Sequence, residues 1–498
     1  MPAVVHVEPE AAGFRLGTGT SVTGETSAVA EFTALLTART GSTASVPAEG
    51  NGEVRLNVAG SGPAESYRLT VDADGVEVEG ADAAGLFYGV QTLAQLLTRE
   101  DGGWTIPAVR IEDAPRFAYR GVMLDVARHF FSLDVVEAYI ERAAALKLNH
   151  LHLHLTDDQG WRLQLASRPE LTERASAGAV GGDAGGFYSV DDYARIIAAA
   201  AARHMTVVPE IDVPGHTHAV GLAYPEIAAD PVIDDAVRAT AEQFGGGLPT
   251  AGEAYTGMAV GFSSLRIGEA ATDRFLSDVF GELAARTPGP YLHLGGDEAH
   301  GTAPEHYAAF VRRAVEIIAA TGKTPMAWHE AGGASPLPSP IVGHYWGFRR
   351  AEAEQADAAA AIVAEGGALV LSPADAAYLD MKPDADAALG LTWANGPTSV
   401  ERSYEWEPTA VLPGVPESAL LGVEAPLWTE TVRTLADIDA LIFPRVASAA
   451  EIAWSPRPTP GSERTWASFR ARVGELGALW RAQGIDVPSS NEIAGADA

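Results

Sequence analysis

HLHLHLT at His150–Thr156, SVDDYARIIAAAAARH at Ser189–His204 and MTVVPEID at Met205–Asp212 read in succession as a strand, a helix and a second strand. The outer runs are short and apolar or alternate on a period of two, while the middle stretch spaces its apolar residues as one helix face does. It opens on Ser189-x-x-Asp192, a capping-box pattern in which two side chains satisfy orphan amides at a helix start. The same alternation recurs on both sides. Strand-like runs stand at Gly121–Val126, Tyr291–Asp297, Thr324–Glu330, Ile341–Trp346, Ala368–Pro373 and Leu420–Trp428, which makes eight in all, and a further helical stretch covers Ser132–Lys147. Eight strand-then-helix units of this size predict an α/β fold, a (β/α)8 TIM barrel over residues 116–488. Two connections, Val213–Leu265 and Ala374–Ala419, are long and follow strand ends.

Residues 1–115 predict a small α+β domain ahead of the barrel. Ser66–Gly80 holds two alternating runs joined through Asp74-Gly75, a hairpin signal, and Gly85–Leu97 has helical spacing. Ile106–Arg116, with two prolines, is expected as the junction, and residues 489–498 as a loose tail. The 498 residues carry 66 Asp and Glu against 34 Lys and Arg, a formal net charge of -32. Such a chain repels nucleic acid and anionic membrane, so a neutral glycan or small molecule is the expected partner. Oligomeric state is not legible. Without cysteine there are no disulfides and no thiolate-held metals. The opening residues show neither a basic region nor an apolar core of a secretory signal, which predicts a cytoplasmic protein unless a leader was removed.

Chemistry collects at the C-terminal ends of the eight runs. Asp157-Asp158, Glu210-Ile211-Asp212 with His216, and Gly295-Gly296-Asp297-Glu298 follow the second, third and fourth. Trp328 and Trp346 end the fifth and sixth, Tyr378 and Asp380 follow the seventh, and Trp428 and Glu430 the eighth. In a barrel, all of these converge on one face. Adjacent residues of a strand point to opposite faces, so Asp297 and Glu298 can share a pocket only where the strand breaks, and the two glycines permit that break. Close carboxylates oppose each other's ionisation, which lets one serve as an acid near neutral pH. Acidic residues in a helix first turn are the plainer reading of the pair; the surrounding tryptophans favour the site. Pyranoses stack an apolar face on indole, for which Trp328, Trp346, Trp428 and Trp406 are candidates, and their hydroxyls suit Arg128, Asp380 and Glu430. Asp212 with His216, across a Pro214-Gly215 turn, either directs the imidazole at Glu298 or merely ties the loop. His150, His152 and His154 share a strand face and suggest a metal, but carboxylates, not a histidine, close that strand. Hydrogen-bonded core histidines are the favoured reading, with no metal.

These stretches resemble family 20 glycoside hydrolases, the β-N-acetylhexosaminidases. The resemblance rests on RGVMLDVARHFF (Arg120–Phe131), LHLHLTDDQGWR (Leu151–Arg162), VPEIDVPGHTHA (Val208–Ala219) and HLGGDEAH (His293–His300), then AWHE, HYWG, AYLDMK and GVEAPLWTE in order. It implies an exo-acting retaining enzyme that removes terminal β-linked GlcNAc or GalNAc through an oxazolinium-type intermediate, with no cofactor. Glu298 is then the general acid/base, Asp297 the partner of the acetamide N–H, and Tyr378 the partner of its oxygen. Trp328, Trp346 and Trp428 enclose the acetamide and ring, Arg128 and Glu430 bind outer hydroxyls, and Asp380 the 6-hydroxyl. Asp212 and His216 form a relay to the acid, supported by Asp157, and Trp406 stacks on the next sugar. Two alternatives stay open: a sugar-binding barrel without catalysis, and a more open pocket that releases a disaccharide. A metal-dependent amidohydrolase built on the strand histidines is a third.

Overall fold

The computed structural model describes residues 2–4, 6–9, 13–17, 19–47, 52–100, 102–459, 461–462 and 464–493. Part of the opening segment read for a leader, and residues 494–498 of the expected tail, lie outside them. The chain forms two compact units, one of residues 1–120, 142–148 and 443–498, the other of 121–141 and 149–442. No helix among the described residues is long and apolar enough to cross a membrane.

In the first unit a six-stranded sheet runs in the order His6–Pro9, Val109–Asp113, Tyr67–Val71, Val76–Gly80, Val54–Val58, Val22–Gly24. The Asp74-Gly75 hairpin forms, with Val71 opposite Val76, and the helix expected from Gly85 spans Ala83–Gln95 under an Asp82 cap. The stretch expected as a junction is instead a sheet strand, Val109–Asp113, paired on both sides. Its prolines, Pro107 and Pro115, flank the strand rather than interrupt it, so every interior N–H can join the ladder. The strand ends in Asp113, whose Oδ2 accepts Lys147 Nζ at 3.0 Å and the Trp454 indole N–H at 2.9 Å. Lys147 also donates to Tyr67 Oη at 2.9 Å. Pairing is what makes a fully buried ammonium tolerable. Trp454 and Trp480 lie buried in helices Val446–Trp454 and Trp466–Ala482, as core packing predicts.

The barrel strands are β1 (Tyr119–Asp125), β2 (His150–His154), β3 (Thr206–Glu210), β4 (Tyr291–His293), β5 (Thr324–Trp328), β6 (Val342–Tyr345), β7 (Ala368–Leu371) and β8 (Leu420–Leu427). They close in chain order into one barrel, and the pairing is parallel, with Gly121 opposite His150 and His150 opposite Thr206. All eight expected runs thus contain strands, most of them ending before the residues that close the run. The helix expected ahead of β3 spans Val190–Ala202, and both halves of the Ser189–Asp192 capping box are made. Every residue of β1 and β2 is buried, because a barrel strand packs side chains inward and outward alike. In β2 the leucines take one face and the histidines the other. His152 and His154 meet carboxylates there: Nδ1 of His152 lies 2.9 Å from Glu424 Oε1, and Nδ1 of His154 2.6 Å from Glu210 Oε2. His150 pairs with Asn149 Oδ1 at 2.6 Å. The three histidines are thus hydrogen-bonded within the barrel core. His152 also belongs to two groups, with His344 and Glu424 and with Glu210 and His293, in which one nitrogen or carboxylate oxygen of each residue lies within 4.8 Å of the others.

Candidate active site

The fourth strand stops at His293, and the backbone then turns through Gly295 (φ 70°) and Gly296 (φ 97°) to Glu298 (φ 46°). Only glycine takes the left-handed region freely, so Glu298 is held in a strained conformation, as is His216 at φ 54°. A side chain at Gly295 would collide with the Asp212 carboxylate, and Gly296 donates its N–H to Asp212 Oδ1 at 2.9 Å. The glycines thus break the strand and admit a third carboxyl beside the pair.

Asp297 and Glu298 both line a cavity of about 800 Å3. Between them stands His216, whose Nε2 lies 3.6 Å from Asp297 Oδ2 and 3.6 Å from Glu298 Oε2. Its other nitrogen, Nδ1, lies 3.2 Å from Asp157 Oδ1. Of the relay implied for Asp212 and His216 with Asp157 in support, the hydrogen bond of the imidazole goes to Asp157, while Asp212 lies within 4.8 Å of His216 and Asp297. Asp212 spends Oδ1 on the Gly296 amide and lies against Asp297, while Asp157, three residues beyond β2, orients the imidazole. The Asp157 Oδ2 accepts from Arg128 Nη1 at 2.8 Å and faces His154 Nε2 at 2.8 Å.

Charge follows from this packing. Burial, opposed by His216 but reinforced by the Glu298 charge, pushes Asp297 up to about 6. Burial and then the Asp297 charge hold Asp212 well above the usual carboxylate range. Burial works against a charged His216, yet Asp157, Asp212 and Asp297 raise it well above its ordinary value. Burial likewise opposes Asp157, but Arg128, His216 and His154 hold it well below the carboxylate range. The site therefore favours Asp157 as a carboxylate and His216 as an imidazolium, while Asp297 and Asp212 are both shifted toward their protonated forms.

The cavity wall collects the other expected residues. Arg128, Trp346, Tyr378, Asp380, Trp428 and Glu430 all line it. The Arg128 guanidinium lies over the Trp428 ring at 4.8 Å, and Tyr378 and Trp428 are 6.4 Å apart. Burial lifts Glu430 above the ordinary range, against the pull of Arg128. Trp328 and Trp406 need correction. Trp328 is wholly buried, stacked on His344 at 4.4 Å and 6.0 Å from Trp428; it backs the wall and is not part of the cavity surface. Trp406 is buried too, with its N–H given to Ser403 O at 3.1 Å, because a short helix, Val400–Tyr404, turns it inward. The tryptophan that the same connection presents to the cavity is Trp393, 47% exposed and 6.1 Å from Trp346.

Two more site residues escaped the sequence. Glu330 accepts the Trp346 indole N–H on both oxygens, at 2.9 and 3.1 Å, and burial with the Asp297 charge raises it well above the usual range. Tyr307 donates to Gly296 O at 2.6 Å and so pins the strand break. Glu330 had a signal, its place just beyond a strand end; Tyr307, inside the helix Pro304–Ala320, had none. Several carboxylate–histidine groups here lie close enough to hold a cation, His154, Asp157 and Asp212 among them. Arg128 and His216 already contact Asp157.

The family model described as glycosyl hydrolase family 20, catalytic domain, matches residues 117–457, and that of the family's domain 2 matches residues 1–114. A beta-N-acetylhexosaminidase of Cellulomonas fimi is 43% identical over 444 residues, 88% of this chain and 84% of that one. A solved glycoside hydrolase family 20 beta-N-acetylglucosaminidase aligns with a TM-score of 0.92 at 57% identity, over 99% of this chain and 98% of that one. The N-acetyl-beta-hexosaminidase of Streptomyces plicatus, solved in complex with Thio-NAglucal, aligns with a TM-score of 0.89 at 42% identity, over 99% and 97%. A closed eight-stranded barrel with paired carboxylates at a broken fourth strand, matched by the family along both of its domains, leaves one assignment: the chain belongs to glycosyl hydrolase family 20.

Proposed function

We propose that this β-N-acetylhexosaminidase uses Glu298 as its general acid/base and Asp297 to hold the substrate's own acetamide as nucleophile. The observation that carries the reading is the pair of adjacent carboxylates, set apart by the strand break and both 3.6 Å from His216. Glu298 protonates the glycosidic oxygen as the bond to C1 breaks, while the acetamide carbonyl oxygen attacks C1 from the opposite face. An oxazolinium ion forms. Asp297 accepts the acetamide N–H and stabilises the positive charge that develops there. Water then attacks C1, Glu298 takes its proton, and the ring opens with net retention of configuration.

The neighbours have supporting parts. Tyr378 donates to the acetamide oxygen, and Trp346 and Trp428 stack on the acetamide and the sugar face. Arg128 and Glu430 take the outer hydroxyls, Asp380 the 6-hydroxyl, and Trp393 the sugar on the leaving side. His216, oriented by Asp157, sets the charge felt by both carboxylates. Asp212, tied to the Gly296 amide at 2.9 Å, keeps Asp297 in place. The substrate is a glycan ending in β-linked GlcNAc or GalNAc. Added azide distinguishes the two carboxylate roles: in Glu298→Ala it should trap C1 as a β-glycosyl azide and raise the rate on an activated glycoside, and in Asp297→Ala it should not. Equal response of both variants contradicts the assignment.

A further inference from the structure

Below the pocket the barrel interior is polar, and one carboxylate stands at a junction within it. Glu210, the last residue of β3, is wholly buried. Its Oε1 accepts the Trp328 indole N–H at 2.9 Å, and its Oε2 accepts from His154 Nδ1 at 2.6 Å. Nε2 of His152 lies 3.1 Å from Oε2, and Nδ1 of His293 lies 3.1 Å from Oε1. Two arms lead from this residue to the site. One is Trp328, which backs Trp428. The other is His154, then Asp157, which holds both Arg128 and His216.

Along the second arm the signs alternate. Glu424, His152, Glu210, His154 and Asp157 follow one another at 2.6–3.1 Å, ending on Arg128 and His216. Buried charges persist only when paired in this way. His154 faces Glu210 and Asp157 as acids, Arg128 Nη1 at 3.4 Å as a like charge, the Trp428 ring at 4.8 Å, and Asp212 across Asp157. Asp157 alone, with a guanidinium beside the same ring, is poor support for an imidazolium; Glu210 is what balances it. Burial opposes charge on both rings, yet the flanking carboxylates raise His154 to about 9 and His152 to about 10.

Resting on the catalytic assignment above, we propose that Glu210 is a positioning residue of the reaction. Its charge keeps His154 an imidazolium, so that Asp157 stays ionised between Arg128 and His216, and its other oxygen fixes the indole behind the sugar-stacking wall. Glu210 never reaches the substrate. It acts through the two arms, which fits a buried residue whose loss changes turnover without opening the pocket.

The test compares Glu210→Gln with Glu424→Gln, since Glu424 is also a buried carboxylate but lies one histidine further from the site. In Glu210→Gln, kcat on nitrophenyl β-GlcNAc should fall on the order of 100-fold, and the His154 ring, charged in the wild type at about pH 8, should become neutral by NMR of labelled histidine. Glu424→Gln should lose far less and keep His154 charged. Equal losses in the two variants, or a His154 still charged in Glu210→Gln, overturn the proposal. Should Glu210→Gln fail to fold, the wild type decides alone, because a neutral His154 at about pH 8 is enough to reject it. A wild type inactive on GlcNAc glycosides sinks the catalytic reading and leaves the His154 measurement standing.

Discussion

Asp157 Oδ1 lies 3.2 Å from His216 Nδ1, while its other oxygen takes Arg128 Nη1 at 2.8 Å. One carboxylate thus serves both the imidazole behind the acid/base and the guanidinium assigned to the sugar hydroxyls. Binding and proton transfer share a buried residue, so one change there disturbs both.

Asp157→Asn should therefore lower kcat and raise KM together, unlike a change confined to either function. It should also cost stability. Asp157 is held well below the ordinary carboxylate range by its partners, against burial, so its contribution is present above the unfolded value and lost as pH falls through the folded one. Removing a buried charge's partner costs about 3 kcal/mol. The thermal midpoint of Asp157→Asn should lie well below wild type at neutral pH and approach it on strong acidification. A gap that is unchanged at low pH argues against the ion pairs.

Glu298→Gln tests the acid/base directly. Turnover on an unactivated disaccharide should fall by about 10²–10⁴-fold, since the proton donor is gone, with KM little changed. Steady-state kinetics on chitobiose and on a nitrophenyl glycoside check this, and the better leaving group should suffer less. Near-normal rates on both would remove Glu298 from the role.

Asp297 carries a pH signature. Burial and the Glu298 charge raise it to about 6, against His216, and the mechanism needs it ionised to hold the acetamide, so kcat/KM should decline as pH drops through about 6. The stability sign is opposite to that of Asp157. A carboxyl whose folded pKa is raised stabilises below its unfolded value, and that contribution is lost as pH rises through about 6. Asp297→Asn should be inactive yet more stable than wild type at about pH 8, by on the order of 3 kcal/mol, with the gain vanishing at about pH 4. Thermal unfolding at both pH values reads it.

Trp393 and Trp406 should separate cleanly. Trp393→Ala exposes no core and should raise KM for chitooligosaccharides while sparing nitrophenyl β-GlcNAc, because only the longer substrate reaches it. Trp406→Ala should cost about 3–5 kcal/mol of stability through the cavity it leaves, with KM for oligosaccharide near normal. Kinetics and unfolding on the two variants test the exchange of roles.

The eight strands were legible because a barrel strand buries both faces and therefore reads as a compact apolar run with a polar end. Their ends located Asp297, Glu298 and the cavity wall for the same reason. Side-chain partnership was less legible. Asp212 is four residues from His216 and looked like its partner, but the chain turns between them, and the nearer carboxylate comes from another strand 59 residues away. Trp406 and Trp393 sit in one long connection, and only its folded path decides which faces inward. Glu210 reads as one more strand-end acid, since nothing along the chain shows four rings from three strands meeting at it.

The most direct test compares initial rates on nitrophenyl β-GlcNAc and nitrophenyl β-glucoside, which differ in the acetamide that Asp297 is assigned to hold. Fast release from the first with almost none from the second is the expected result, because the glucoside lacks the nucleophile. Comparable rates on both would mean a nucleophile supplied by the protein, and would contradict a mechanism in which Asp297 holds the acetamide and Glu298 is the acid/base.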